Sequence, residues 1–304
     1  MPIISRCLRA SSPSTHKRLA CLILATFCEI LEDPSGMSGY AEELVDILIG
    51  VLLSGQSQVR GVAAKALGSM VRHLSSSNAI LEGLLDTLQT KLISNSITSV
   101  ERSGISSGYA QVLFSKENFS GNLLKLVTIN RIALCSDDTS VQELAAECFQ
   151  SLYSQMGTDV LDNIVPSLLA QIGDPATRRH AINGLTKILA LRSVSRELLP
   201  YLIPRLLLSP VTEENLGVLS SVIKVTGEML HLYLHTLIPA LVRELRDSSN
   251  IVESSIRDCF RSVFKSIHNI SNLIGEIASR CDNDDVFWRL ESCWMLGALA
   301  EERK

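Results

Sequence analysis

Apolar residues along this chain recur in helical steps. In Leu44, Ile47, Leu48, Val51 and Leu52 the steps are 3, 1, 3 and 1, one stripe of a 3.6-residue period. No stretch sustains the apolar–polar alternation of a strand, so a helical chain is expected throughout. A longer period overlies the short one. A leucine-rich helical run leads into a short turn holding Asp, Ser, Asn or Gly. A second helix follows and often opens on valine. Val59-Arg60, Val100-Glu101 and Val141-Gln142 open such helices at steps of 41 and 41. Further openings fall near Thr177, Asn215, Val252 and Val286, at steps of about 36, 38, 37 and 34, and an earlier one near His16. Eight second helices give a mean of 38 residues per unit.

The first helices carry their own mark. Asn163-Ile164-Val165-Pro166, Tyr201-Leu202-Ile203-Pro204 and Thr236-Leu237-Ile238-Pro239 place prolines 38 and 35 residues apart, in phase with the second helices. Proline removes a backbone donor and crowds the preceding turn, so it bends a helix. A bend at one place in successive units predicts uniform curvature. Small residues recur inside the second helices: Gly61, Ala63, Ala64, Ala66 and Gly68, then Gly104 and Gly108, then Ala145 and Ala146. Glycine inside a helix costs up to about 1 kcal/mol against alanine, so its repetition points to close helix approach or to a site.

The predicted fold is all-α: a HEAT-type α-solenoid, a right-handed superhelix of antiparallel helix pairs with about eight repeats. Residues 1–304 read as a single array. It comprises a partial repeat over 1–35 and units at about 40–77, 78–118, 119–158, 159–195, 196–232, 233–269 and 270–304. Each unit buries its apolar face only against its neighbours, so the end units should carry polar caps. Neither end reads as one. The chain starts partway into a unit and stops after the helix with Trp288, Trp294, Met295 and Leu296. Continuation into a longer array, or covered ends, is therefore expected.

Composition narrows the function. The chain has 28 basic and 32 acidic residues, a formal net charge of −4, 46% apolar residues and 5% aromatics. That suits a folded helical core and excludes a disordered tail. A pI near 5.9 argues against a protein dominated by naked nucleic acid, because phosphate binding needs a basic field. Eight cysteines form no Cys-x-x-Cys pair and read as buried free thiols in a reducing compartment. The apolar run Leu19 to Phe27 is too short to span a bilayer, and Glu29 and Glu32 follow it, so it reads as a buried helix. A cytoplasmic protein without membrane contact is expected.

Candidate chemistry is sparse. Glu228-x-x-His231-x-x-x-His235 has metal-ligand types at helical spacing, but Leu232 stands where a zinc protease needs glutamate. The repeat phase also sets a turn near Leu232 to Leu234, which assigns the two histidines to different helices. No phosphate loop or dinucleotide turn occurs, and Ser106, Ser107 and Ser220 lack a nucleophile elbow. Cys148 and Cys259 sit mid-helix among apolar residues, unlike catalytic thiols. Asp282, Asp284 and Asp285 read as a solvated turn and helix cap rather than a calcium loop. No catalytic residue, metal or cofactor is expected.

Basic residues Lys17-Arg18, Arg60, Lys65, Arg178-Arg179-His180, Arg205, Arg243 and Arg246 recur near unit turns or helix ends. One reading pairs an arginine at the start of a second helix with an aspartate in a neighbouring turn. The other is a ridge facing ribosomal RNA or an acidic protein. Arg178, Arg179 and His180, after the Gly173-Asp174-Pro175 turn, are the leading surface candidates, with Lys17 and Arg18 next.

Several strings resemble a known family. They are Ala133-Leu134-Cys135, Val141 with Ala145, Ala146 and Phe149, and Gly157 followed by Leu161-Asp162-Asn163-Ile164-Val165-Pro166. Leu199-Pro200-Tyr201-Leu202-Ile203-Pro204, Pro210-Val211, Leu219-Ser220-Ser221-Val222 and Leu237-Ile238-Pro239-Ala240-Leu241 follow in order. Ala133 to Leu241 thus resembles the large HEAT-repeat translational activator of the general amino-acid control pathway, and the likeness fades past about Leu245. Upstream, Ala63-Ala64-Lys65-Ala66-Leu67-Gly68 and Glu101-Arg102-Ser103-Gly104 with Gly108 also look like family repeats. The second string is similar to the segment shared with a fungal elongation factor. The resemblance implies a non-enzymatic scaffold on ribosomes that helps switch on the kinase acting on initiation factor two alpha. It implies the kinase's RWD domain and the ribosome as partners, with no small-molecule substrate. Another HEAT adaptor, such as a nuclear transport receptor or a phosphatase scaffold, is the alternative, since fold does not fix function.

Overall fold

The computed structural model describes residues 2–9, 11–31, 39–54, 56–74, 79–94, 96–115, 119, 121–208, 211–247, 249–268, 270–281 and 284–303. Among them are sixteen α-helices and no strand, in keeping with the all-α expectation. The helices come in successive pairs: α1 (Pro2–Leu8) and α2 (Ser14–Ile30), α3 (Ala41–Leu52) and α4 (Ser57–Val71), α5 (Ala79–Ile93) and α6 (Ser99–Ser115), α7 (Leu123–Leu134) and α8 (Thr139–Met156). The second half continues with α9 (Asp159–Ile172) and α10 (Arg178–Leu189), α11 (Arg192–Leu206) and α12 (Glu213–Thr226), α13 (Leu234–Asp247) and α14 (Asn250–Ser266), α15 (Ile270–Ala278) and α16 (Val286–Glu302). A 3-10 turn, Gly227–Tyr233, joins α12 to α13. Every even-numbered helix opens within two residues of the position set by the sequence period.

Two compact units divide the chain. The first holds residues 1–171 and 176–184; the second holds 172–175 and 185–304. In the first, odd helices lie against odd and even against even: α1 on α3, α3 on α5, α5 on α7, and α2 on α4, α4 on α6, α6 on α8. The second repeats the scheme with α12 on α14, α14 on α16 and α13 on α15. Each stripe is thereby buried by its own partner and by the adjacent pairs. Leu44, Leu48 and Leu52 of α3 and Leu67, Met70 and Val71 of α4 are fully buried in the first unit. Ile256, Phe260, Val263 and Phe264 of α14 do the same in the second.

Local chemistry sets the helix ends. Asp138 caps α8 by accepting from the Ser140 amide at 2.9 Å. Thr212 caps α12 through the Asn215 amide at 3.3 Å, and Asp285 caps α16 through the Phe287 amide at 3.0 Å. At α6 the cap is reciprocal. The Thr98 amide donates to Glu101 Oε2 at 2.7 Å and the Glu101 amide donates to Thr98 Oγ1 at 3.3 Å, a capping box. The Thr98 amide, joined by the Thr98 hydroxyl donating to the same oxygen at 2.8 Å, holds the Glu101 carboxyl below its ordinary value. Pro166, Pro200, Pro204 and Pro239 all lie inside helices, in α9, α11 and α13.

Polar bonds between neighbouring pairs follow the repeat length. Arg102 of α6 meets Asp137 in the turn before α8 at 2.7 Å, 35 residues on. Lys125 meets Asp86 at 2.8 Å, Arg131 donates to Ser167 Oγ at 3.0 Å, and the Cys135 thiol donates to Gln171 Oε1 at 2.9 Å. In the second unit Arg257 meets Glu291 at 3.1 Å, and the Ser220 and Ser262 hydroxyls meet at 3.1 Å.

The helical glycines divide by environment. At Gly104 a Cβ would run into the backbone carbonyl of Leu52, and at Gly184 into that of Leu134 at 2.6 Å, whereas Gly61 faces open space. Two substitutions should therefore act with opposite signs. Gly104→Ala is expected to lower unfolding free energy by about 1–3 kcal/mol through overpacking. Gly61→Ala should raise it by roughly 0.5–1 kcal/mol through helix propensity. Urea denaturation followed by circular dichroism checks both.

Candidate partner-binding surface

The Gly173-Asp174-Pro175-Ala176 turn is exposed and delivers the chain into α10. The Thr177 hydroxyl donates to the Gln171 carbonyl at 2.9 Å and anchors the turn. Arg178, Arg179 and His180 form the first turn of α10; Arg179 is exposed, and Arg178 and His180 are half-buried. Lys17 and Arg18 stand on the first turns of α2. Arg18 is exposed. Lys17 is half-buried and lines a cleft of about 280 Å³ with Ser12, Ser14, Ser54, Gln56 and Val59. The two basic groups occupy different second helices, and α4, α6 and α8 lie between them in chain order.

Arg60, Lys65, Arg205 and Arg246 have partners within the chain. Arg60 Nη1 donates to the Ser54 carbonyl at 3.0 Å, and Lys65 lies 3.6 Å from Glu29. Arg205 stacks over the Tyr201 ring at 3.7 Å. Arg246 pairs with Asp285 and lies over the Phe287 ring at 5.1 Å. The Arg246 hydrogen bond, aided by the Phe287 amide, holds the Asp285 carboxyl below its ordinary value. Arg243 is exposed. Asp284 is exposed too, and Asp282 lies outside the described residues.

A second arrangement escaped the sequence reading. Arg257 bridges Glu253 at 2.9 Å and Glu291 at 3.1 Å while lying 4.3 Å over the Trp294 ring. Arg280 holds Glu276 at 2.6 Å and lies 5.3 Å over Trp288. With Arg246 over Phe287, two arginines from α13 and α14 and a third from the turn after α15 clasp the aromatic residues of α16. Cation–π contacts of this kind contribute about 0.5–2 kcal/mol each. The i,i+4 spacing of Glu253/Arg257 and Glu276/Arg280 was a visible signal, but the aromatic partners come from a helix far along the chain.

The histidine candidates separate as the repeat phase required. His231 belongs to the 3-10 turn and His235 to α13. Among the described residues no three His, Cys, Asp or Glu side chains gather as a metal set. Cys148 and Cys259 are buried mid-helix. Burial pushes the Cys259 thiol up to about 12 and the Cys148 thiol higher still. A nucleophilic thiolate needs the opposite shift. No helix among the described residues is long and apolar enough to cross a membrane.

Stacked helix pairs with polar ties one repeat apart define the class: a HEAT-type α-solenoid. Residues 198–304 match the family described as stalled ribosome sensor GCN1-like HEAT repeats, and residues 1–80 match the elongation factor 3/GNC1 HEAT repeat. The chain is 34% identical over 209 residues to the human stalled ribosome sensor GCN1, covering 67% of this chain and 7% of that protein. It is 30% identical over 262 residues to the eIF-2-alpha kinase activator GCN1 of Dictyostelium discoideum, covering 84% of this chain and 10% of that one. Its repeats are thus those of the GCN1 HEAT-repeat proteins, and the chain spans a tenth or less of these relatives' length. The likeness does not fade past Leu245, as the motifs suggested: the GCN1-like match runs to residue 304. The elongation-factor match lies upstream of the Glu101–Gly108 string. Among solved structures, the karyopherin Kap121p bound to the SUMO protease Ulp1p superposes with a TM-score of 0.54 at 12% identity, over 99% of this chain and 34% of that one, a likeness of fold.

The thiols yield two predictions. Alkylation of the native chain at about pH 8 should label exposed Cys293 first and leave Cys21, Cys148 and Cys259 protected until denaturant is added, as peptide mass mapping would read. The second concerns pH. Burial lifts Cys21 and Cys259 from 9.0 to about 12. Above pH 9 the unfolded chain loses thiol protons that the folded chain keeps, so stability should fall as pH rises through that range. The urea midpoint under reducing conditions is expected to be lower at about pH 10 than at about pH 8.

Proposed function

We propose that this chain is a non-enzymatic scaffold segment of a ribosome-associated activator of the kinase that phosphorylates initiation factor two alpha. It acts in the cytoplasm, in translational control during amino-acid starvation. The observation that carries the reading is the identity with GCN1 relatives along 262 residues of a chain built as stacked helix pairs. The sequence units from 1–35 to 270–304 form one repeat array, and its work is positional. A stack of pairs presents a long row of turns and helix faces, and a scaffold that holds kinase and ribosome together raises their effective concentration without new chemistry. The partner for the kinase side is its RWD domain. The turn before α10, with Arg178, Arg179 and His180, faces ribosomal RNA or an acidic protein.

Ribosome co-sedimentation of the chain with and without Arg178→Glu and Arg179→Glu tests this. Each lost phosphate contact should flatten the salt dependence by about one unit of log–log slope, and the double variant should sediment several-fold less. Unchanged sedimentation removes the basic ridge. Failure of the unaltered chain to bring down ribosomes or the RWD domain from lysate removes the scaffold reading.

A further inference from the structure

A cleft of about 490 Å³ lies in the second unit, between the α10–α11 turn and the end of α12. Described helices precede and follow it in the chain, so it is not an open end of the helix stack. One wall carries Leu189, Arg192 and Arg196; the other carries Val225, Gly227 and Met229. Bonds about one repeat apart tie the walls together. The Ser195 hydroxyl, bonded to the Leu191 carbonyl at 3.0 Å, lies 3.6 Å from the Met229 sulfur. The Tyr233 hydroxyl donates to the Arg196 carbonyl at 3.4 Å. Gly227, at φ +51°, turns the chain out of α12. The volume falls within the range of ligand clefts, about 300–1,000 Å³.

The charge at its mouth is uncompensated. Arg192 and Arg196 stand one turn apart on α11, and both are exposed. Neither guanidinium has a carboxylate or ring partner among the described residues, whereas Arg102, Arg131, Arg246 and Arg257 all have partners. Like charges four residues apart on a helix repel, and Arg192 adds a cation at the positive end of the helix. An anion bound across the pair relieves both. The opposite wall is apolar: Val225 is 39% exposed and Met229 is half-buried. The cleft thus sets charge on one side and apolar contact on the other. That is the complement of a peptide whose carboxylates neighbour an apolar side chain. An RNA strand is disfavoured, since it asks for a continuous basic track or for rings on which bases stack, and none of the described lining residues is aromatic.

We propose that this cleft binds an acidic peptide segment of another protein, with carboxylates across Arg192 and Arg196 and an adjacent apolar side chain against Val225 and Met229. The reading stands apart from the ribosome-facing turn before α10. The probe is a synthetic peptide array in which glutamate and leucine are permuted among neutral polar positions, incubated with the labelled full chain. Spots with leucine beside glutamate should retain the chain, and the same spots with glutamine for glutamate should not. With the best spot made as a fluorescent peptide, anisotropy should report binding that weakens with salt. Arg192→Ala with Arg196→Ala should lower the affinity at least about tenfold, and Val225→Glu should lower it too. Both arginines are exposed, so the circular dichroism melt of the double variant should not fall. Arg179→Glu, at the turn before α10, should leave the affinity unchanged. Four outcomes overturn the proposal. They are no retention on any spot with leucine beside glutamate, equal retention by the glutamine versions, and an affinity unchanged in the double variant. The fourth is capture of oligouridylate by the parent chain that the double variant loses, which assigns the arginines to RNA.

Discussion

A helix pair of this length cannot bury its own apolar surface. Two helices cover one stripe of each other and leave the rest to the pairs on either side. That constraint governs the structure described here. Odd helices lie on odd and even on even within each unit, because this is how successive identical problems are solved by one repeated answer. Burial of leucine, valine and alanine side chains supplies the free energy, and it does so locally, between neighbours. Aromatic residues are few because the space between close-packed helices is narrow.

The same constraint explains the polar bonds. Arg102–Asp137, Lys125–Asp86, Arg131–Ser167 and Arg257–Glu291 join residues 34 to 39 positions apart. Most are half-exposed and add little stability singly. Their value is in register: each fixes one pair against the next. The arginine clasp on α16 is the fullest version, since Arg246, Arg257 and Arg280 each meet both a carboxylate and an aromatic ring. Glycine does the complementary work where backbones approach, as at Gly104 against Leu52 and Gly184 against Leu134.

Function in such a molecule resides on what stacking leaves outside. Several basic side chains are drawn into ties between helices, whereas Arg179 at one turn and Arg6, Arg9 and Arg18 at another are exposed. The likeness to the karyopherin Kap121p shows how much the fold leaves open, since at 12% identity it speaks for helix stacking alone. The GCN1 relatives narrow the choice, because their identity runs along the repeats themselves.

Much of this was legible in the residues. The 3.6-residue stripe fixed the helices, and the recurring openings from His16 to Val286 fixed where each second helix begins, because every unit repeats one local grammar of cap, stripe and turn. The separation of His231 from His235 followed from that phase. The sequence also marked the basic clusters, yet it could not sort them. Whether an arginine points outward or into a carboxylate depends on a side chain a whole repeat away, and no local pattern encodes that distance. Arg257 between Glu253, Glu291 and Trp294 was invisible for the same reason. So was the division within α2: Leu19 to Phe27 reads as a buried run, and only the packing of α4 on α2 selects Ala20, Cys21, Leu24 and Ala25 for burial. Local periodicity determines what a segment becomes, whereas the choice of which face is covered belongs to the neighbours that tertiary structure brings against it.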